Sequence, residues 1–132
     1  MHRLVAALTV LAVGVATTGQ AHAAPDADGV RGVLDSMNNS YNRSDFTKFA
    51  SHLCADLLQT ADFAAEWYAS RTSDGPTAIT VNSVRVIGGS EIARAIANVR
   101  FEAADHVRTL DVEFLREGSE WKACRYRAGQ TV

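Results

Sequence analysis

Cysteine is scarce in this chain: Cys54 and Cys124 are the only two in 132 residues. Two thiolates make a poor zinc site, so one bridge is the most they offer. Lysine is nearly absent, with Lys48 and Lys122 alone, and the other basic residues are all arginine. The 13 basic residues face 15 acidic ones and form no cluster. Without a basic excess, neither nucleic acid nor an anionic membrane surface is an expected partner. No apolar run reaches the roughly 20 residues of a membrane span. The longest, Leu4 to Ala16, has 13. There are no internal repeats, no linker and no catalytic, metal or nucleotide motif, so neither a metal nor a cofactor is expected.

What the chain does have begins with a leader. Met1-His2-Arg3 is a short positive end, Leu4 to Ala16 is uncharged and apolar, and Ala21-His22-Ala23 is a small-x-small site. This pattern predicts a secretory signal peptide over residues 1–23, cut between Ala23 and Ala24. No twin arginine precedes the apolar run, so the general export route is expected. The first cysteine is Cys54, so none stands at the cleavage point to carry a lipid. The mature chain would be a single domain, residues 24–132, or 132 less 23, which is 109 residues. Losing Arg3 leaves 12 basic and 15 acidic residues, a formal charge of −3. Localisation is expected to be the extracellular space or the cell envelope. There Cys54 and Cys124 are expected to pair. Closing about 70 residues would remove roughly 4 kcal/mol of unfolded-state entropy in the chain-entropy view of disulfides. The arginine- and alanine-rich composition also suggests a GC-rich bacterial source.

Apolar spacing then changes period once along the chain. Asp26 or Asp28 is expected to cap a helix carrying Val30, Val33, Leu34, Met37 and Tyr41 on one stripe. Arg31, Asp35, Asn38 and Asn42 fall largely on its wet side. Ser44 is expected to cap a short second helix bearing Phe46, Phe49, Leu53 and Cys54. A third runs from about Asp56 to Ser70, with Asp74-Gly75-Pro76 ending it. From Ala78 the period is two. One strand spans Ala78–Ile87, with a bulge at Asn82-Ser83. A second spans Ile92–Phe101, with Ala93, Ala95, Ala97, Val99 and Phe101 on one face. A third spans His106–Leu115, with Leu110, Val112 and Phe114 on one face. After a turn at Glu117-Gly118-Ser119, the last strand runs from Glu120 to Arg127. Two or three helices followed by three or four antiparallel strands predict an α+β domain, helices packed on one face of a curved sheet.

Three stretches carry a family resemblance. They are the helix ending in Tyr41-Asn42-Arg43-Ser44-Asp45-Phe46, the alternating strand Ala93 to Phe101, and the closing Phe114-Leu115-Arg116-Glu117-Gly118-Ser119-Glu120-Trp121-Lys122-Ala123-Cys124. Together they resemble the nuclear-transport-factor-2-like (cystatin-like, α+β roll) superfamily. Within it the chain resembles small secreted actinobacterial members related to the DUF4878-like and lumazine-binding-like domains. The resemblance covers nearly all of the mature chain. It implies a cone-shaped sheet with a pocket between its concave face and the helices. The superfamily holds isomerases, dehydratases, hydrolases, transport adaptors and proteins without catalysis, so it implies no single activity.

Enzymes of this kind place an Asp, His or Tyr in the cone. The candidates here are Tyr41, His52, Asp56, Tyr68, His106 and Asp111. Tyr41, at the end of the first stripe, either polarises a carbonyl or packs in the core with its hydroxyl on a backbone group. His106 and Asp111 are an odd number of residues apart on one strand and so face opposite ways. Arg94 and Arg100, with Arg85 beside them, would suit an anionic ligand if they lined the cone, or else form a solvated outer face. Trp67, Tyr68 and Trp121 either line an apolar pocket or pack the core. Asn38-Asn39-Ser40 and Asn42-Arg43-Ser44 match the glycosylation acceptor pattern, which a bacterial host would leave unmodified. The favoured reading is a secreted non-catalytic module that binds a small apolar ligand or a protein partner, with Tyr41, Trp67, Tyr68 and Arg94 as the candidate pocket. The other is a cofactor-independent isomerase, dehydratase or hydrolase using Tyr41 and Asp56. The sheet face bearing Ile92 and Ile96 would permit a homodimer.

Overall fold

The computed structural model describes residues 20–88 and 92–129. Most of the leader lies outside these residues, and the expected cut between Ala23 and Ala24 falls within the first helix, α1 (Gln20–Asn42). The predicted stripe is the buried one. Val30, Leu34 and Tyr41 are buried, and Val33 and Met37 pack against the core. Two expectations about α1 need correction. The helix is not capped at Asp26 or Asp28 but runs on through Pro25, while Asp26 binds Arg116 at 3.2 Å. Nor are Asn38 and Asn42 on a wet face. Asn42 takes the Thr77 backbone N–H at 2.8 Å and donates to its carbonyl at 2.8 Å, and Asn38 accepts from the Thr77 hydroxyl at 2.8 Å. Thr77 is buried outside any ladder, so its polar groups need these side-chain partners.

Helix α1 ends in a Schellman turn. The Asp45 N–H bonds to the Ser40 carbonyl and the Ser44 N–H to that of Tyr41, with Ser44 at φ 55°. Ser44 therefore closes α1. The cap of α2 (Phe46–Ala50) is Asp45, which accepts from the Lys48 N–H at 3.0 Å. The single third helix expected is two: α3 (Ala55–Leu58) and α4 (Phe63–Asp74), separated at Asp62 with φ 61°. That break lets Leu57 and Phe63 both turn towards the core. Among the described residues no helix is long and apolar enough to cross a membrane.

Four strands follow: β1 (Ala78–Ile87), β2 (Arg94–Glu102), β3 (Val107–Glu117) and β4 (Glu120–Ala128). They form a curved antiparallel meander in chain order, open at both edges. The predicted bulge in β1 lies between Val81 and Ser83. A second one, in β4, leaves Cys124 as the extra residue between Ala123 and Arg125, which pair with Phe114 and Glu113. Cys124 is there bonded to Cys54, with their Cα atoms 4.8 Å apart. Flanking the bridge, the Cys54 N–H donates to the Ala123 carbonyl at 2.9 Å and the Ala123 N–H to the His52 carbonyl at 2.8 Å. The helical layer is thus tied to the sheet edge covalently and by backbone.

On the concave side Ala95, Ala97, Phe114, Trp121 and Ala123 are buried against Val30, Leu34 and Leu53. Gly29 lets α1 rest on Trp121, because a Cβ there would stand 3.2 Å from the indole Cδ1. The convex side is polar, and Asn82, Asn98 and Asp111 form a hydrogen-bonded ladder across it at 2.9 and 2.8 Å.

Candidate functional site

The alanine end of β2 is filled by close packing. At its other end, from Val99 to Phe101, helices and sheet diverge and enclose a cavity of about 370 Å³. Leu34 and Met37 from α1, Phe49, Leu57, Phe63 and Trp67 from the later helices, and Val99, Leu110 and Val112 from the sheet make its apolar walls. This volume lies within the roughly 300–1,000 Å³ of small-molecule sites. Trp67 anchors one side. Tyr41, Phe46 and Phe49 surround it with ring centroids at 5.2, 5.2 and 5.3 Å. Among the described residues its buried indole N–H has no hydrogen-bond partner.

One end of the cavity is polar, built around Asp74, the last residue of α4, only 5% exposed. An isolated buried carboxylate is costly, and this one is surrounded by donors. The Tyr41 hydroxyl donates to Oδ2 at 2.6 Å, and Ser70 Oγ lies 3.2 Å from the same oxygen. His106 Nε2 is 3.3 Å from Oδ1, and an Arg108 nitrogen is 3.8 Å from Oδ2. Burial, together with the bond to Asp74, pushes the Tyr41 phenol up to about 12, with Ser70 and Arg108 pulling the other way. At neutral pH Tyr41 is therefore a proton-holding donor whose proton is directed at Asp74. Behind it, Arg71 donates to the carbonyls of Tyr41 and Asn42 at 2.8 and 3.0 Å, fixing α4 to the end of α1.

Of the residues proposed from sequence, Tyr41 and Trp67 line the cavity. Tyr68 does not; it is 48% exposed and packs against Phe46 and Trp67. Arg94 lies on the convex face, paired with Glu113 at 2.8 Å, because β2 turns its alanines inward and its arginines out. Arg85 and Arg100 are likewise exposed. Asp56 is exposed in the first turn of α3, and the carboxylate that meets Tyr41 is Asp74 instead. His52 pairs with Ser36 Oγ at 2.8 Å, and burial, helped by Lys48 and Lys122, lowers its pKa. Asp111 sits in the convex ladder, on the opposite face from the Asp74-facing His106. Trp121 is core.

Asp74, Ser70 and Arg108 escaped the sequence reading. Yet Trp67, Ser70 and Asp74 recur at i, i+3 and i+7, one helix stripe. Arg108 precedes Leu110, Val112 and Phe114 in the same alternation.

The arrangement of helices over a curved antiparallel meander has known counterparts. The chain matches Bd1075 of Bdellovibrio bacteriovorus with a TM-score of 0.62 at 10% identity, over 80% of this chain and 40% of that one. It matches an NTF2-like protein of unknown function from Pseudomonas putida KT2440 at TM-score 0.54 and 14% identity, over 76% and 82% of the two chains. This chain has the NTF2-like fold. A candidate dehydratase of the NTF2-like family from Streptomyces avermitilis also matches, at TM-score 0.54 and 11% identity, over 82% of this chain and 99% of that one. No protein-family model and no curated protein matches the sequence.

Proposed function

We propose that this protein is a secreted, non-catalytic module that holds a small, mainly apolar molecule in its cone. The observation that carries the reading is the 370 Å³ cavity, walled by aliphatic and aromatic side chains with one polar end. Secretion is supported by the leader pattern and by the Cys54–Cys124 bridge, a bond suited to an oxidising compartment. Pro25 supports cleavage after Ala23. A proline inside a helix removes a hydrogen bond, but in the first turn of a chain starting at Ala24 its missing N–H costs nothing. The non-catalytic assignment rests on the commitments of the polar set. The Tyr41 proton is directed at Asp74, and Asp74 Oδ2 already accepts from Tyr41 and Ser70.

The acid–base alternative has one observation in its favour, the Tyr41–Asp74–His106 chain, with Asp74 in place of Asp56. The candidate dehydratase from Streptomyces avermitilis keeps it in view.

Native mass spectrometry of protein purified from its secreting host, beside a denatured and unreduced sample, tests the proposal. The denatured mass is expected to begin at Ala24 and to lack two hydrogens. The native mass is expected to exceed it by one small molecule. A native mass equal to the bare chain would turn the reading towards a protein partner. Turnover of the retained molecule, lost in Tyr41→Phe/Asp74→Asn, would establish the enzyme instead.

A further inference from the structure

We infer that the cavity takes an anionic amphiphile, its carboxylate bound by Arg108 at the mouth and its tail between α1 and the sheet; this rests on the ligand-binding reading above. Among the residues lining the cavity, Arg108 is the one cation. Its guanidinium lies over the Phe101 ring, 5.1 Å from the centroid, and its side chain is 51% exposed, which places it at the opening. Its ionic neighbour, Asp74, is 3.8 Å away, beyond hydrogen-bond reach. Asp74 itself accepts from Tyr41 and Ser70 at Oδ2, and His106, whose Nδ1 lies 2.7 Å from Asp105, stands 3.3 Å from Oδ1. Among the described residues, Asp74 Oδ2 thus holds two hydrogen bonds, while the half-exposed Arg108 fork makes no hydrogen bond to the protein. A planar guanidinium with five N–H groups matches a carboxylate bidentately.

The remaining charges set the orientation. Glu66 also lines the cavity, eight residues before Asp74 and so about 12 Å away along α4. Arg108 offsets the Asp74 charge at its end, whereas no cation lines the Glu66 end, so an anionic head is repelled least beside Arg108. Because Arg108 is half in water, the bound carboxylate keeps part of its hydration and avoids the cost of full burial. A doubly charged phosphate head would meet more repulsion from Asp74, which favours the singly charged carboxylate.

Isothermal titration calorimetry of the disulfide-intact, delipidated chain with decanoate, decanol and decylamine tests this. Decanoate is expected to bind at least about tenfold tighter than decanol, and decylamine weakest, as one charge-assisted contact implies. Arg108→Gln should weaken decanoate by roughly ten- to a hundredfold and leave decanol unchanged, with Arg108→Lys between. Decanol binding as tightly as decanoate, or decanoate binding that ignores Arg108→Gln, would overturn the assignment of the head and leave the cavity reading standing. No binding by any of the three would overturn both. If Arg108→Gln fails to fold, the wild-type ranking of the three ligands decides alone.

Discussion

Tyr41 shows how one residue can serve core and site together. Its ring packs edge-on to Trp67 at 5.2 Å, while its hydroxyl reaches Asp74 at 2.6 Å. Removing that hydroxyl leaves a buried carboxylate short of a donor. Tyr41→Phe is therefore expected to lower stability by about 1–3 kcal/mol, read from urea denaturation. The raised phenol pKa has a definite sign. The folded state holds this proton more tightly than the unfolded state, whose tyrosine titrates near 10. The resulting stabilisation is complete below pH ~10 and is lost as pH rises towards about 12. An alkaline absorbance titration of the parent minus Tyr41→Phe should rise near pH 12; a rise near pH 10 would contradict the geometry. That Tyr41 faces the sheet was legible from the apolar stripe. Its partner was not, because Asp74 stands before Gly75-Pro76 and reads as the end of a helix. The last turns of α1 and α4 meet there only in three dimensions.

Among the secondary elements, periodicity located every strand and the long helix but misplaced the helix ends. The Schellman turn puts Ser44 where glycine is usual, at φ 55°. A left-handed non-glycine residue costs roughly 1–2 kcal/mol, and glycine gives back roughly half or more through its unfolded-state freedom. Ser44→Gly is therefore expected to stabilise by about 0.5 kcal/mol, a Tm rise of roughly 2–4 °C by calorimetry. An unchanged or lower Tm would show the turn to be relaxed as it is. The split between α3 and α4 was illegible for a similar reason. Nothing in Gln59-Thr60-Ala61-Asp62 forbids a helix. The break at Asp62 is favoured by what it brings to the core, Leu57 on one side and Phe63 on the other.

For the whole molecule, the bridge between Cys54 and Cys124 spans 70 residues and links the helical layer to the last strand. Cys54→Ser/Cys124→Ser is expected to lose about 4 kcal/mol, read as a lower urea midpoint with a steeper slope, because the unlinked unfolded chain exposes more surface. The backbone bonds at Cys54 and Ala123 need no sulfur, so the fold should persist. A loss under about 1 kcal/mol would mean that the unfolded chain is already held compact there. The outer sheet face, proposed to pair two copies through Ile92 and Ile96, has 55% of Ile92 exposed. Ile96 sits among the Arg94–Glu113 pair and the Asn98–Asp111 bond, so such an interface would be largely polar.

The sequence by itself determined the run of helices followed by strands, the apolar faces of β2 and β3, the bulge in β1, the pairing of the cysteines and the α+β layering. Each of these follows from the chain itself: a period of 3.6 or of 2, a turn residue, or two thiols that are the only pair available. Only the tertiary structure decided that the small residues of β2 are packed shut while the cavity opens beyond Val99, that Asp74 rather than Asp56 meets Tyr41, and that Arg108 rather than Arg94 guards the opening. Those outcomes depend on where α4 and the β2–β3 hairpin come to rest against each other. That is a matter of packing between residues more than thirty positions apart, and no local period encodes it.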